Sequence, residues 1–296
     1  MRILLTGATG CVGQALVPEL TDAGHELIVV VRPDSPSQIA NKHISTVHAD
    51  LTQSDFATKL PPEVDAVLHV AQSRRFREFP DGAAEVFAIN TAATFNLVEY
   101  ACRAKAKSFV FTSTGSVYVP QHEPVAETAP TAPASFYPAS KLAAESLLAP
   151  YSGSLSLSIL RLFYVFGPGQ TKMLVDGLAD RIRRGVPISL AGETGIKLAP
   201  TYSGDVARIV RKSVEDGWSG TYNVGSPAIV SLKTLGEGIA RAIGKQAEFE
   251  QAGGLAPPTP LPKLDKLGSV FDLSGFTALD SALAETFGAT AKRVSG

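Results

Sequence analysis

Three glycines near the start of the chain, Gly7, Gly10 and Gly13, lie between a short apolar run and an amphipathic stretch. This GxxGxxG spacing at a strand-to-helix turn is typical of a dinucleotide-binding βαβ unit, where it permits a tight turn, close approach of a pyrophosphate and close helix packing. The helix that follows presents free N–H groups and the positive end of its dipole to the phosphates. The motif predicts a Rossmann-type nucleotide-binding domain, and a glycine-rich turn without a ligand is the alternative.

Short apolar runs alternate with amphipathic stretches throughout the first half of the chain. Strands are predicted at residues 3–5, 27–31, 47–49, 66–70, 109–112 and 156–161, and helices at residues 13–23 and 85–104. Apolar, β-branched runs suit a parallel sheet that is buried on both faces. Their alternation with helices predicts an α/β fold with a doubly wound parallel sheet.

The pattern changes after residue 168. Helices are predicted at residues 174–184 and 232–243, strands become short, and residues 252–262 form a predicted loop rich in Gly and Pro. We therefore predict a nucleotide-binding domain over residues 1–168. Residues 169–296 are predicted to form a smaller, mostly substrate-binding region, from which some segments return to the sheet.

Composition restricts the partners and the compartment of the chain. Hydrophobic residues make up 45% and charged residues 19%, as in a packed globular enzyme, and the net charge of -1 gives no reason to expect nucleic acid or an anionic membrane as partner. Cys11 and Cys102 lack CxxC spacing, and no apolar run reaches the about 18 residues of a membrane span, so we expect a cytoplasmic protein. The five histidines lack the spacing of metal ligands, so no metal is expected.

A tyrosine and a lysine, Tyr137 and Lys141, are spaced so that both lie on one face of a helix. An ammonium near a phenol lowers the phenol pKa, which starts near 10, and such a tyrosine can exchange a proton with an alcohol or a carbonyl. Thr114 follows the fifth predicted strand and could hydrogen-bond the reacting oxygen, with Ser113 or Ser116 as substitutes. A surface Tyr–Lys pair and a serine-rich turn are the alternatives.

Arg32 follows the second predicted strand, where a carboxylate normally binds the ribose hydroxyls of NAD. A guanidinium at this point suits a 2′-phosphate, so the sequence favours NADP, with NAD possible. An arginine that is exposed or stacked on the adenine, with Asp34 reaching the ribose, would leave the choice open.

Nine segments follow one another in a recognisable order. They are TGATGCVG, HADLT, HVAQ, INTAATFNLVEYA, FTSTGSVY, YPASK, LRLFYVFGPGQ, YSGDVA and YNVGS. With these segments, over about residues 1–245, the chain resembles the extended short-chain dehydrogenase/reductase superfamily, in its NAD-dependent epimerase/dehydratase branch. The resemblance implies an enzyme that acts on a small-molecule substrate. It also implies a homodimer that forms through residues 85–104 and 140–148, and burial of these apolar helices within one subunit is the alternative.

The resemblance also implies roles for individual residues. Tyr137 would be the general acid/base, Lys141 its electrostatic partner, and Thr114 the third member of the catalytic set. Asp50 and Leu51 would flank the adenine. The predicted cofactor contacts are Gly7, Thr9, Gly10, Cys11, Val12, Gly13, Arg32, Asp50, Leu51, Val70, Ala71, Asn90, Thr112, Tyr137, Lys141, Phe163 and Tyr164.

The reaction that the resemblance implies is hydride transfer at a secondary alcohol or ketone of a sugar or nucleotide sugar. Two departures argue against a nucleotide sugar: Tyr164 replaces the asparagine of an RxxNxxG pattern, and Leu198 replaces an arginine seven residues before Asp205, with Lys197 adjacent. They favour an alternative, an NADPH-dependent carbonyl reductase of a non-nucleotide substrate. A non-catalytic dinucleotide sensor is the third hypothesis.

Three arginines after the fourth predicted strand, in the run Arg74-Arg75-Phe76-Arg77, could bind an anionic substrate or a cofactor phosphate. A solvated basic loop is the alternative. The predicted substrate contacts are Gln72, Arg74, Arg75, Ser113, Thr114, Ser116 and Lys197.

Overall fold

The computed structural model describes residues 1–35 and 41–288, so residues 289–296 of the predicted C-terminal region lie outside it. Its strands are β1 (Arg2–Thr6), β2 (Glu26–Val31), β3 (Ile44–His48), β4 (Ala66–His69), β5 (Ser108–Thr114), β6 (Ser156–Leu162), β7 (Val165–Phe166), β8 (Ile188–Leu190), β9 (Lys197–Leu198), β10 (Thr201–Tyr202), β11 (Gly220–Val224), β12 (Val230–Ser231) and β13 (Phe249–Gln251). Its helices are α1 (Cys11–Asp22), α2 (Ala83–Phe87), α3 (Ala93–Arg103), α4 (Phe136–Leu148), α5 (Leu174–Arg183), α6 (Ser203–Glu215), α7 (Leu232–Ile243), α8 (Asp265–Gly268) and α9 (Leu279–Phe287).

Seven strands form one sheet in the order β11-β6-β5-β4-β1-β2-β3. The pairs β1–β2, β1–β4, β2–β3 and β4–β5 are all parallel. The chain therefore starts in the middle of the sheet, builds outward to β3 and then crosses back to β4, which is the doubly wound order of a Rossmann fold. This confirms the predicted fold class.

Both faces of the sheet are covered, as the continuous apolar strands require. On one face, side chains of β1, β2, β4 and β5 form a buried cluster with α3 and α4; the cluster includes Leu4, Val67, Phe109, Leu97 and Ala144. On the other face, α1 packs against β2. Alternate residues of β1 thus face opposite helix layers, and the strand is fully buried from Ile3 to Thr6.

The long helix predicted at residues 85–104 is present but is not a uniform α-helix. It consists of α2, a π-helical turn at Ala88–Ala92, and α3. A π-helical turn inserts a residue into the helix and changes the direction of its side chains, and such turns are frequent at functional sites. The ends of the other elements predicted in the first half of the chain differ from the observed ends by up to three residues. Helix α7 has the bounds predicted for it, residues 232–243.

The chain divides into two compact units. The first comprises Met1–Val117, Thr131–Arg161 and Ala207–Tyr222, and it contains most of the seven-stranded sheet. The second comprises Tyr118–Pro130, Leu162–Val206 and the chain from Asn223 onward.

In the second unit, α7 packs against α5 and α9, and the short pairs β7–β10, β9–β12 and β8–β13 lie beside them. Its own buried core includes Phe166, Leu178, Ile188, Leu235 and Leu283. Within the described residues of the whole chain, no helix is long and apolar enough to cross a membrane.

Candidate active site

The predicted site residues of the first unit gather at one edge of the sheet. Thr6 is level with Val30 and His69, and His69 with Phe111, so these parallel strands end together at their carboxyl ends. The segments that follow them carry Gly7, Arg32, Val70 and Ala71, and β5 itself ends with Thr112, Ser113 and Thr114. In open α/β sheets, ligands bind at this edge.

At two positions of the turn between β1 and α1, only glycine fits, because any side chain would clash with neighbouring backbone atoms. Gly7 has a φ of 81°, and a Cβ there would lie 2.6 Å from the backbone nitrogen of Ala71. A Cβ on Gly13 would lie 2.1 Å from the carbonyl oxygen of Gly7. Gly10 differs, because it is exposed and a Cβ there would meet only the Gly7 oxygen, at 3.3 Å. The space beside Gly10 is open to a ligand.

Helix α1 starts at Cys11, two residues earlier than predicted, with Gly10 as its N-cap. No side chain caps this end and the first turn contains no acidic residue, so the helix supplies no anion of its own to the positive end of its dipole. Thr9, Cys11 and Val12 are partly exposed around it. An uncapped helix start beside an open glycine fits a pyrophosphate, so the residues present fit a dinucleotide.

Arg32 and Asp50 follow the ends of the neighbouring strands β2 and β3, and the charge of Arg32 acts on Asp50. Arg32 is exposed. Hydrogen bonds from the Thr52 backbone and side chain lower the pKa of Asp50, and the positive charge of Arg32 adds to that effect. The guanidinium therefore has an anion nearby, which sequence reasoning did not foresee. Leu51 is partly buried, with contacts to the core below.

Helix α4 carries Tyr137 in its first turn and Lys141 one turn later. Pro138 lies between them within the first turn, where its missing N–H leaves no hydrogen bond unmade. Lys141 is 1% exposed, and its ammonium donates to the carbonyl oxygen of Thr112 at 2.9 Å and lies 4.6 Å from the centre of the Phe111 ring. The lysine is thus fixed against the last residues of β5.

The expectation that Lys141 lowers the pKa of Tyr137 is not what the structure gives. Burial raises the pKa of Tyr137 to about 12, although the side chain keeps partial access to solvent, and a hydrogen bond with Thr114 acts in the opposite direction. Burial lowers the pKa of Lys141 to about 7, against the effect of Glu145. The ammonium is directed at Thr112 rather than at the phenol, which explains the difference.

Asn90 lies in the π-helical turn and joins three elements. It is fully buried; its oxygen accepts from the Ser73 backbone at 3.2 Å, and its nitrogen donates to the Ser140 hydroxyl at 3.0 Å. Ser140 in turn donates to the carbonyl of Tyr137, and Thr91 donates to the carbonyl of Ser140. Asn90 therefore acts on the site through α4, as a residue that sets the position of the helix.

A buried ion pair lies behind Lys141, and sequence reasoning missed it. Glu145, one turn further along α4, binds Arg161 of β6 with an N–O distance of 2.6 Å, and both side chains are less than 10% exposed. Ser113 donates to the same carboxylate. The i, i+4 spacing of Lys141 and Glu145 could have indicated the acid, but nothing in the sequence indicated its partner on β6. Thus Ser113, predicted as a substrate contact, is buried and engaged with Glu145.

The loop after β4 contacts Tyr137 directly. The phenol donates to the Gln72 side-chain oxygen at 3.0 Å, and the Phe76 ring lies 5.1 Å from the Tyr137 ring at an interplanar angle of 53°. Arg74 is exposed, whereas Arg75 pairs with Glu78 in the same loop, at 2.7 Å. Ser116 is exposed, two residues after Thr114, and its backbone nitrogen donates to the Thr114 hydroxyl at 3.2 Å.

The remaining predicted residues belong to the second unit. Phe163 is 2% exposed and stacks with Tyr118 at a centroid distance of 6.2 Å. Tyr164 has a left-handed φ of 43°, unusual for an aromatic residue. Leu198 lies in the apolar core, while its neighbour Lys197 is exposed on β9.

The other titratable groups provide no metal site. His69 is buried, bonds Thr6 at 2.7 Å and has a pKa that burial and Lys141 lower to about 3, so it is a neutral part of the sheet. Over residues 1–35 and 41–288, no group of three or more His, Cys, Asp or Glu side chains could hold a metal ion.

Comparison with known proteins gives consistent matches. The model of the NAD dependent epimerase/dehydratase family matches residues 3–225. The chain is 26% identical over 263 residues to UDP-glucuronic acid decarboxylase 1 of Arabidopsis thaliana, covering 84% of this chain and 60% of that protein. It spans between 46% and 60% of the length of three of the curated relatives that it matches.

Solved structures match over nearly the whole chain. The UDP-glucose 4-epimerase of Thermus thermophilus, in complex with NAD, has a TM-score of 0.78 and 26% identity, covering 97% of this chain and 98% of that one. MoeE5 in complex with UDP-glucuronic acid and NAD has a TM-score of 0.79 and 27% identity, with the same coverage of both chains.

Proposed function

The chain belongs to the NAD-dependent epimerase/dehydratase family, and from that premise we propose that it is an enzyme that transfers hydride at a secondary alcohol or ketone of a nucleotide sugar. One observation carries the proposal. Tyr137 and Thr114 share a hydrogen bond at the carboxyl edge of the sheet, beside the open glycine turn, with a buried lysine one turn along the same helix. A protein that only bound a dinucleotide would need no such pair of hydroxyls.

The mechanism assigns proton control to the protein. A nicotinamide dinucleotide would be held at the turn of Gly7, Gly10 and Gly13 and would supply the hydride chemistry at the alcohol or ketone carbon. At neutral pH the Tyr137 phenol carries its proton, because its pKa is raised to about 12, so it can donate that proton to a ketone oxygen. In the opposite direction, the phenolate takes the alcohol proton, and the Thr114 hydrogen bond favours that charged form.

NAD is the cofactor that we propose, in place of the NADP preference inferred from Arg32 alone. The two similar solved structures contain NAD. In this chain, the charge of Arg32 acts on the Asp50 carboxylate, and that anion at the adenine end of the site would repel a 2′-phosphate. We expect NADP to bind more weakly than NAD, with Arg32 reducing the difference.

The substrate assignment rests on the relatives, whose names contain UDP-glucose and UDP-glucuronic acid. A second candidate, a carbonyl reductase of a non-nucleotide substrate, is favoured by one observation. Leu198 occupies the place of the expected arginine, and it is fully buried in the core of the second unit, so it offers no cation to a diphosphate.

One set of measurements tests these proposals. The purified chain is assayed with NAD or NADP against UDP-glucose, UDP-glucuronic acid and a panel of simple ketones, with products identified by NMR. We expect conversion of a UDP-sugar with NAD, and Tyr137→Phe to lower kcat by about 10²–10⁴-fold, the range of general acid/base catalysis. Turnover of ketones alone would favour the reductase, and full activity of Tyr137→Phe would contradict the mechanism.

The proposed homodimer would use α2, α3 and α4. Large apolar side chains are exposed on these helices: Phe87 is 54%, Phe95 41% and Leu147 42% exposed. Exposed apolar residues on packed helices are typical of an association surface. Phe95→Glu should convert a dimer to a monomer in light scattering, and a wild-type monomer would contradict the proposal.

A further inference from the structure

The phenol that the proposed function uses has a partner that this function does not require. Gln72 is exposed to solvent, and its side-chain oxygen accepts the Tyr137 hydrogen at 3.0 Å. Gln72 therefore contacts the atom that gains and loses the proton in the proposed reaction. Any role of Gln72 in that step rests on the proposed function.

A carboxamide, like the Thr114 hydroxyl on the same phenol, can both accept and donate a hydrogen bond. Its oxygen only accepts hydrogen bonds and its nitrogen only donates them, and rotation about the last side-chain bond exchanges the two. It can therefore accept from a neutral phenol and donate to a phenolate. A hydrogen bond to the charged form is roughly twice as strong as a neutral one, so the donating orientation favours loss of the proton.

The backbone beside Gln72 is held by buried hydrogen bonds, while the Gln72 side chain itself is exposed to solvent. The next residue, Ser73, is fully buried; its backbone nitrogen donates to Asn90 and its hydroxyl donates to Glu85 at 2.7 Å. Further along the loop, Phe76 packs on the Tyr137 ring. The loop thus keeps the Gln72 carboxamide next to the Tyr137 phenol through the buried Ser73 and through the Phe76 ring.

We propose that Gln72 is a further catalytic residue, whose carboxamide accepts from the Tyr137 phenol and turns to donate to the phenolate as the proton moves to and from the substrate. No covalent bond of Gln72 changes. The residue reduces the cost of the charged form, which the surrounding apolar packing otherwise opposes.

The test measures the ionisation of residue 137 itself. Difluorotyrosine is incorporated at position 137 of the full chain, and its fluorine NMR shift is followed against pH in the wild type, Gln72→Ala, Gln72→Leu and Gln72→Glu. Gln246→Glu, an exposed change in the segment before β13, is the charge control. Because a residue that only accepts stabilises the neutral phenol, its removal would lower the pKa, whereas loss of a donor to the phenolate raises it.

We expect the phenol pKa to rise in Gln72→Leu and to rise further in Gln72→Glu, which can accept but not donate at neutral pH. Gln72→Ala should give an intermediate value, because water can replace both hydrogen bonds. In otherwise unmodified protein, kcat should fall about tenfold in Gln72→Leu and about 100-fold in Gln72→Glu, with KM little changed, as the loss of a charge-assisted hydrogen bond predicts.

A pKa that stays the same or falls in Gln72→Leu would overturn the inference, as would a change confined to KM. The latter would make Gln72 a substrate contact only. This failure is distinguishable from failure of the proposed function. If only the Gln72 inference is wrong, Tyr137→Phe still lowers kcat by about 10²–10⁴-fold; if the proposed function is wrong, Tyr137→Phe leaves turnover intact.

Discussion

Two polar clusters touch α4 one turn apart, and they differ in their access to water. The closed cluster is Lys141, Glu145, Arg161 and Ser113, all buried and bonded to one another or to β5. The open cluster is Tyr137, Gln72 and Thr114, at the end of the same helix, where Gln72 is exposed and Tyr137 partly so.

This difference in access to water indicates that the closed cluster stabilises the fold, whereas the open cluster is available for chemistry or binding. In the closed cluster each charge has a partner, because an unpaired charge away from water would destabilise the fold. In the open cluster the phenol can exchange its partner for a ligand. We therefore expect substitutions in the closed cluster to change stability most, and substitutions in the open cluster to change chemistry or binding while the fold persists.

The largest expected effect is that of Glu145→Gln, which leaves the Arg161 guanidinium buried without its anion. Breaking one partner of a buried pair costs about 3–5 kcal/mol, so the free energy of unfolding in urea at pH 7 should fall by that amount. Asp180→Asn removes the exposed pair with Arg184 and is the matched control, with an expected change below about 0.5 kcal/mol. Equal changes in the free energy of unfolding for the two substitutions would contradict the stronger contribution that we assign to the buried ion pair.

The glycine turn gives a second contrast within a few residues. Gly13→Ala forces a methyl group to within 2.1 Å of the Gly7 oxygen, so overpacking should lower stability by about 1–3 kcal/mol. Gly10→Ala meets a single atom, at 3.3 Å, and should leave the melting temperature nearly unchanged while weakening NAD binding in calorimetry. If the folded Gly10→Ala variant bound NAD as tightly as the wild type, the open space beside Gly10 would not be the pyrophosphate site.

The pH dependence that Lys141 contributes is a small expected effect when it is compared over a single pH unit. Burial lowers its pKa in the folded chain to about 7 from an ordinary 10.5, so between these values the unfolded chain binds more protons. Stability should therefore rise with pH across that window, by at most about 1.4 kcal/mol per pH unit. This contribution should vanish in Lys141→Met, measured as the difference between the two proteins in urea unfolding at pH 7, 8 and 9. Parallel curves would mean that Lys141 keeps its ordinary pKa.

Local patterns predicted most of the fold and part of the site. The glycine spacing predicted the β1–α1 turn, and the spacing of Tyr137 and Lys141 predicted a helix that carries both, because each motif lies within a few residues of chain. The Arg161 partner of Glu145 could not be predicted, since it depends on where β6 enters the sheet. The contact of Gln72 with the phenol depends likewise on the path of a loop.

The π-helical turn at Ala88–Ala92 has a practical consequence for engineering. Through Asn90 and Thr91 it sets the rotation of the following helix and holds Ser140 of α4. Deleting one residue there would remove the inserted residue and leave a regular α-helix, in which Asn90 and Thr91 would no longer point at Ser73 and Ser140. Libraries that aim to alter substrate scope should therefore leave this turn intact and begin with the exposed Arg74.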